Sequence, residues 1–185
     1  MIIKKGFTLM ELIMVIGIMG ILAGSGAWLM ANTIKNSVFI PNQLNMDKLA
    51  NDALNIMIEG DSQAKGLRFC RVISAIAVNQ ITFTNQDGIV IIYRWDTGAN
   101  KLYRKIGAAA EAIIPSYFSN TTGVTLSGKL GTLFTYYDLA DAVTAAAANV
   151  RRIRMILIAK TGTGSYNDWQ GSSEQATSIA VRKLQ

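Results

Sequence analysis

Between Leu12 and Ile34 the chain runs 23 residues without a charged side chain. Wound as an α-helix, such a run extends about 34 Å and is long enough to cross a hydrocarbon core of about 30 Å. Half of all residues are hydrophobic and only 16% are charged, below the roughly 25% of an average soluble protein. Part of this chain is therefore built for an environment other than water. Lys4 and Lys5 precede the run and Lys35 follows it, a balance that by the positive-inside rule favours a cytoplasmic N-terminus with the polar remainder outside. With 185 residues in total, that remainder has room for one modest domain, which excludes a large multidomain enzyme.

Residue types that are missing narrow the chemistry. The chain has no His, so imidazole acid–base catalysis, His-based triads and imidazole zinc sites are excluded. A single cysteine, Cys70, can form no intramolecular disulfide and reads as a small buried apolar side chain. The net charge of +6 falls to about +5 from Lys35 onward, where 16 basic residues face 11 acidic ones. These are scattered, apart from Arg151, Arg152 and Arg154.

Glu11, at the start of the apolar stretch, is the anomaly. A carboxylate set into a membrane segment costs on the order of 3 kcal/mol on insertion scales, so it calls for a partner unless it sits at headgroup level. A secretory signal competes for this region, with Ser25-Gly26-Ala27 as a cleavage site. Glu11 interrupts its apolar core, however, and the run continues through Trp28, Leu29 and Met30 past that point.

The stretch Lys4-Lys5-Gly6-Phe7-Thr8-Leu9-Met10-Glu11-Leu12 resembles the type IV prepilin signature, a short basic leader ending in Gly, then Phe, a hydroxyl residue, Leu, an apolar residue and Glu. The resemblance implies a cleaved leader over 1–6, cut between Gly6 and Phe7 by a membrane-embedded prepilin peptidase, and N-methylation of Phe7. It also implies that Glu11 meets the N-terminal ammonium of a neighbouring subunit during filament assembly, and that the apolar helix stays on the mature protein. Major pilins of the bacterial type commonly carry Pro in the second half of the membrane helix. None stands between Phe7 and Ile40, which points towards a minor pilin or pseudopilin.

Beyond the membrane half, over 7–34, the spacing of Ile34, Val38, Leu44, Leu49, Ala53, Leu54, Met57 and Ile58 predicts an amphipathic continuation over 35–60 that packs on a sheet, with Met46 and Met57 in the core. Pro41 predicts a kink or short break around Phe39–Asn42, and Glu59-Gly60-Asp61 a helix end, with coil or a resumed helix through Gln63–Gly66. The remainder, 67–185, reads as a β-rich head. A three-strand meander spans Ile81 to Arg104, with turns at 85–88 and 96–100. Further strands are expected at 124–126, 133–137, 150–159 and 176–182, an Ala-rich turn or helix at 140–148, and a Gly/Ser loop at 161–173. The fold class is α+β, a long N-terminal helix on an antiparallel sheet. Segments 134–138 and 150–154 and the closing strand also resemble the heads of larger minor pseudopilins of type II secretion systems and of minor type IV pilins.

Candidate ligand sites are weak. Asp96 with Asn100, and Asp138 with Asp141, bracket loops that offer oxygen ligands to calcium, but Asx turns explain the same residues. Glu59 with Asp61 shows nothing beyond a solvated turn. Thr161-Gly162-Thr163-Gly164-Ser165 lacks the Lys and the following helix of a phosphate loop. Arg151, Arg152 and Arg154 with Trp95, Tyr166 and Trp169 form the combination seen in single-strand nucleic-acid binders, against which a solvent-facing strand edge explains the arginines. No catalytic set, metal or cofactor is expected. The expectation is a single-pass inner-membrane structural subunit, with other pilin-like subunits, the prepilin peptidase, the assembly platform and lipid as partners. The alternative is a DNA-uptake pilus subunit whose head binds nucleic acid.

Overall fold

In the computed structural model the described residues are 8–115, 124–161 and 171–181. One α-helix, α1, spans Leu9–Ile58, 50 residues and about 75 Å at 1.5 Å per residue. Thr8 starts it as the N-cap, paired with Glu11 in a capping box. Its end is set at Gly60, whose φ of +88° suits a residue without Cβ; the Gly60 N–H closes on the Ile56 carbonyl at 3.0 Å. No helix resumes through Gln63–Gly66, and a single 3-10 turn follows at Leu67–Phe69. Gly60 and Lys65 instead form a bridge across a tight loop.

Of the kink or short break expected at 39–42, the break does not occur: Pro41 lies inside a continuous helix. A proline removes one amide donor and crowds one carbonyl of the preceding turn, and the bonds of the turns on either side carry the helix past it. A second correction concerns the buried stripe. Ile34 and Leu44 are exposed, the side chain of Val38 lies outside the described residues, and the core face begins only at Met46. From there Leu49, Ala50, Ala53, Leu54 and Met57 are buried, at the i, i+3, i+4, i+7 spacing of a helix laid on a sheet.

The head contains two antiparallel sheets. The first is a meander in chain order: β1 (Cys70–Ala77), β2 (Gln80–Asn85), β3 (Val90–Asp96), β4 (Lys101–Ile106) and the short β5 (Ala112–Ile113). The expected three strands are its centre; β1 and β5 were not foreseen. Alternation places Ile81, Phe83, Ile91, Tyr93, Trp95 and Leu102 inside, as period-2 strands with one wet face require.

The second sheet is organised around β8 (Arg152–Thr161). β9 (Ser172–Ala180) pairs with it from 152 to 160. On the opposite edge β6 (Val124–Gly128) covers 157–161 and β7 (Phe134–Tyr137) covers 152–155. β8 is thus central, where an edge was expected for its arginines. The Ala-rich segment forms turns and a short 3-10 helix at Ala147–Asn149. β9 begins at 172, inside the expected loop, and residues 162–170 and Arg182 lie outside the described residues.

The sheets are sewn together by polar bonds at the rim of one core. The Val78 carbonyl accepts from both Leu133 and Phe134 N–H, the Tyr136 hydroxyl donates to the carbonyls of Ala77 and Gln80, and Trp95 Nε1 donates to the Leu126 carbonyl at 3.0 Å. Cys70 is buried in the same core, as expected.

Candidate assembly element: the exposed half of the long helix

The described apolar side chains of α1 before the head are buried against none of the described residues. Ile16, Met19, Ile21 and Leu22 are all more than 60% exposed, and a Cβ added at Gly17, Gly20, Gly24 or Gly26 would meet no atom within 4 Å. Sustained exposure of this kind opposes the hydrophobic effect at about 25 cal/mol per Å². The helix is long and apolar enough to cross a membrane, and a bilayer removes that cost.

Of the residues singled out in the sequence, Gly6 and Phe7 lie outside the described residues, as do Lys4 and Lys5. Glu11 is described, and its carboxylate is not isolated. Glu11 Oε2 accepts from the Thr8 N–H at 2.9 Å and from the Thr8 hydroxyl at 3.0 Å, while the Glu11 N–H donates to Thr8 Oγ1 at 3.3 Å. Glu11 therefore serves its own helix start, where the macrodipole also favours a negative charge. All of these partners are neutral, so no cation among the described residues compensates the carboxylate.

The packed half of the helix is held to the head at its two ends by two polar features and one glycine. Gln43 Oε1 accepts from the Ser172 N–H at 3.1 Å and Gln43 Nε2 donates to the Ser172 carbonyl at 2.8 Å, holding the start of β9. Gly171 allows that approach: a Cβ there would lie 2.8 Å from the Asn42 carbonyl carbon and oxygen. At the other end of the packed half, Asp61 Oδ2 accepts from Arg104 Nη2 at 2.7 Å, and the same nitrogen donates to Gln63 Oε1 at 3.0 Å. Arg104 is buried. Burial would raise the Asp61 carboxyl, but the bond and charge of Arg104, with amides of Gln63 and Ala64, outweigh it and hold it below its ordinary value.

The weak candidate sites resolve into turns and pairs. Asp96 Oδ1 accepts from the Gly98 and Ala99 N–H groups; those amides and Arg94 hold its carboxyl low. Asp138 Oδ1 accepts from Ala140 and Ala142 N–H, Asp141 pairs with Arg152 and Glu59 with Arg68. Among the described residues no three His, Cys, Asp or Glu side chains cluster as metal ligands. Trp95 is in the core, away from Arg154 on the solvent face, so the nucleic-acid combination is not assembled there; Tyr166 and Trp169 lie outside the described residues. Sequence reasoning missed Gln43, Gly171 and the Asp61–Arg104 pair. Only Gly171 had a local signal, as a glycine just ahead of a strand.

Comparison with protein-family models, curated proteins and solved structures returned no match.

Proposed function

We propose that the chain is a structural subunit of a type IV pilus-like filament or a type II secretion pseudopilus, a minor pseudopilin or minor pilin, processed by prepilin peptidase. One observation carries the reading: the Lys4–Leu12 signature runs into a helix whose first half is uncharged apart from Glu11 and exposed, while its second half is the spine of a folded head. A filament subunit needs this division. The apolar half resides in the bacterial inner membrane, with the N-terminus cytoplasmic and the head outside, until sister helices take the place of lipid. Glu11 then offers its charge to the Phe7 ammonium of the neighbouring subunit, since the neutral donors at Thr8 leave that charge uncompensated.

Two measurements test the proposal. Mass spectrometry of the native protein should show loss of residues 1–6 and a methyl group on Phe7; an N-terminus near Trp28 would establish ordinary signal cleavage instead. Glu11→Leu should leave cleavage and the head intact while lowering incorporation into filaments. Normal incorporation, measured by cross-linking, removes the intersubunit role.

A further inference from the structure

Among the described residues, no strand pairs with the outer edge of β9. Thr161 N–H bonds the Gly171 carbonyl and Val181 N–H the Arg151 carbonyl, and the register between these ends is unbroken. In an antiparallel ladder, N–H and C=O groups point alternately towards the partner and away from it. Odd-numbered residues of β9 therefore face β8, and Ser172, Glu174, Ala176, Ser178 and Ala180 turn their backbone outward. Ser172 is taken by Gln43. The amides and carbonyls of Glu174, Ala176, Ser178 and Ala180 meet no partner among the described residues, and all four residues are exposed.

Edges of this kind are usually blunted by Pro, Lys or a bulge. β9 has none of these, and its one charge, Glu174, is tied to Lys129 at 2.7 Å. The Gln43 carboxamide, giving one donor and one acceptor to Ser172, already makes the two bonds that a strand residue would make there. Along the edge after it, a groove of about 650 Å³ lies between Thr177–Ala180 and Asn55, Ile58, Glu59 and Arg68. On the opposite face, the small side chains of Ala176 and Ser178 leave a depression walled by Arg152 and Arg154. Arg152 is paired with Asp141; Arg154, directly across from Ser178, has no ion pair among the described residues.

We infer that the edge from Glu174 to Ala180 is a docking site for an extended strand of another polypeptide, with acidic side chains at alternate positions facing Arg154. Charge complementarity selects the acidic strand. A second copy of β9 fits poorly. Gln43 lies at Ser172 and Asn55–Glu59 lie at Thr177–Ala180, so α1 and β9 run in the same direction. Two-fold antiparallel pairing of two β9 edges would point the two apolar helix halves opposite ways, which one membrane cannot accept.

The test uses the full chain in detergent micelles and two peptides of the nine-residue length of β9, one alternating Thr and Glu, the other Thr and Lys. The Glu peptide should slow hydrogen exchange at the amides of 174, 176, 178 and 180 and bind about tenfold more tightly than the Lys peptide. Arg154→Glu should invert that order, and Ala176→Pro, which deletes an outward N–H, should abolish protection. If Ala176→Pro disturbs the fold by circular dichroism, the Arg154→Glu inversion decides alone. The proposal is overturned if the Glu peptide protects none of the four amides, if the two peptides bind equally, or if Arg154→Glu leaves their order unchanged. Protection of the same amides without peptide, together with sedimentation as a dimer, would overturn it in favour of a second copy.

Discussion

The two halves of α1 share one helix and differ in what covers them. Before Met46, the described apolar side chains point in every direction and none is buried; from Met46 on, they are gathered on one face against β8 and β9, with Lys48 and Asn51 on the wet side. Hydrophobic content alone does not distinguish a core helix from a membrane helix. The angular distribution does, because a protein core lies on one side of a helix and a bilayer lies all around it.

The largest expected effect comes from separating the halves. A chain beginning at Asn42 retains the Gln43–Ser172 clamp and the whole buried stripe, and should be a soluble, cooperatively melting monomer, while the full chain sediments with membranes. Membrane association of the shortened chain would break the comparison. Next, Met57→Ala should destabilise the head by about 2–5 kcal/mol, because it empties a fully buried site, whereas Met19→Ala, at a position 66% exposed, should leave the melting temperature in micelles unchanged. Equal effects would show that the first half is packed on protein after all. Gly171→Ala should cost about 1–3 kcal/mol, since helix backbone cannot retreat from a new Cβ as a side chain can, and denaturant titration reads it directly. The smallest effect is that of Asp61→Asn, on the order of 1 kcal/mol for a partly exposed carboxylate. The Asp61 carboxyl is lowered in the folded state, so its stabilisation is full above its ordinary value of 3.8 and is lost as pH falls through the lowered one. An acid titration should show the variant and the parent converging below about pH 4.

What could be read from the sequence was whatever local pattern dictates. The uncharged run, the meander with its turns at Asn85 and Asp96, and the strands through Phe134–Tyr137 and Ile153–Leu157 follow from periodicity and turn chemistry. Three things did not follow. Pro41 argues locally for a break, but helix on both sides outweighs one missing amide. Ile34 and Leu44 continue the spacing of the stripe, yet where a helix meets its sheet is decided by the far end of the chain, at Gly171 and Ser172. The Asp61–Arg104 pair joins residues 43 positions apart, and neither residue announces the other. Glu11 stood out by its placement, but its bond to Thr8 belongs to helix-start chemistry that an apolar context obscured.

The parallel run of α1 and β9 has a mechanical consequence. A pull on the exposed half of the helix passes through continuous helix into the packed half, and it acts along the axis of the strands beside it. Loaded in that direction, the clamp at Gln43, the buried stripe and the ladder between β8 and β9 share the force in shear rather than opening one bond at a time. Such a head would yield only when many contacts fail together.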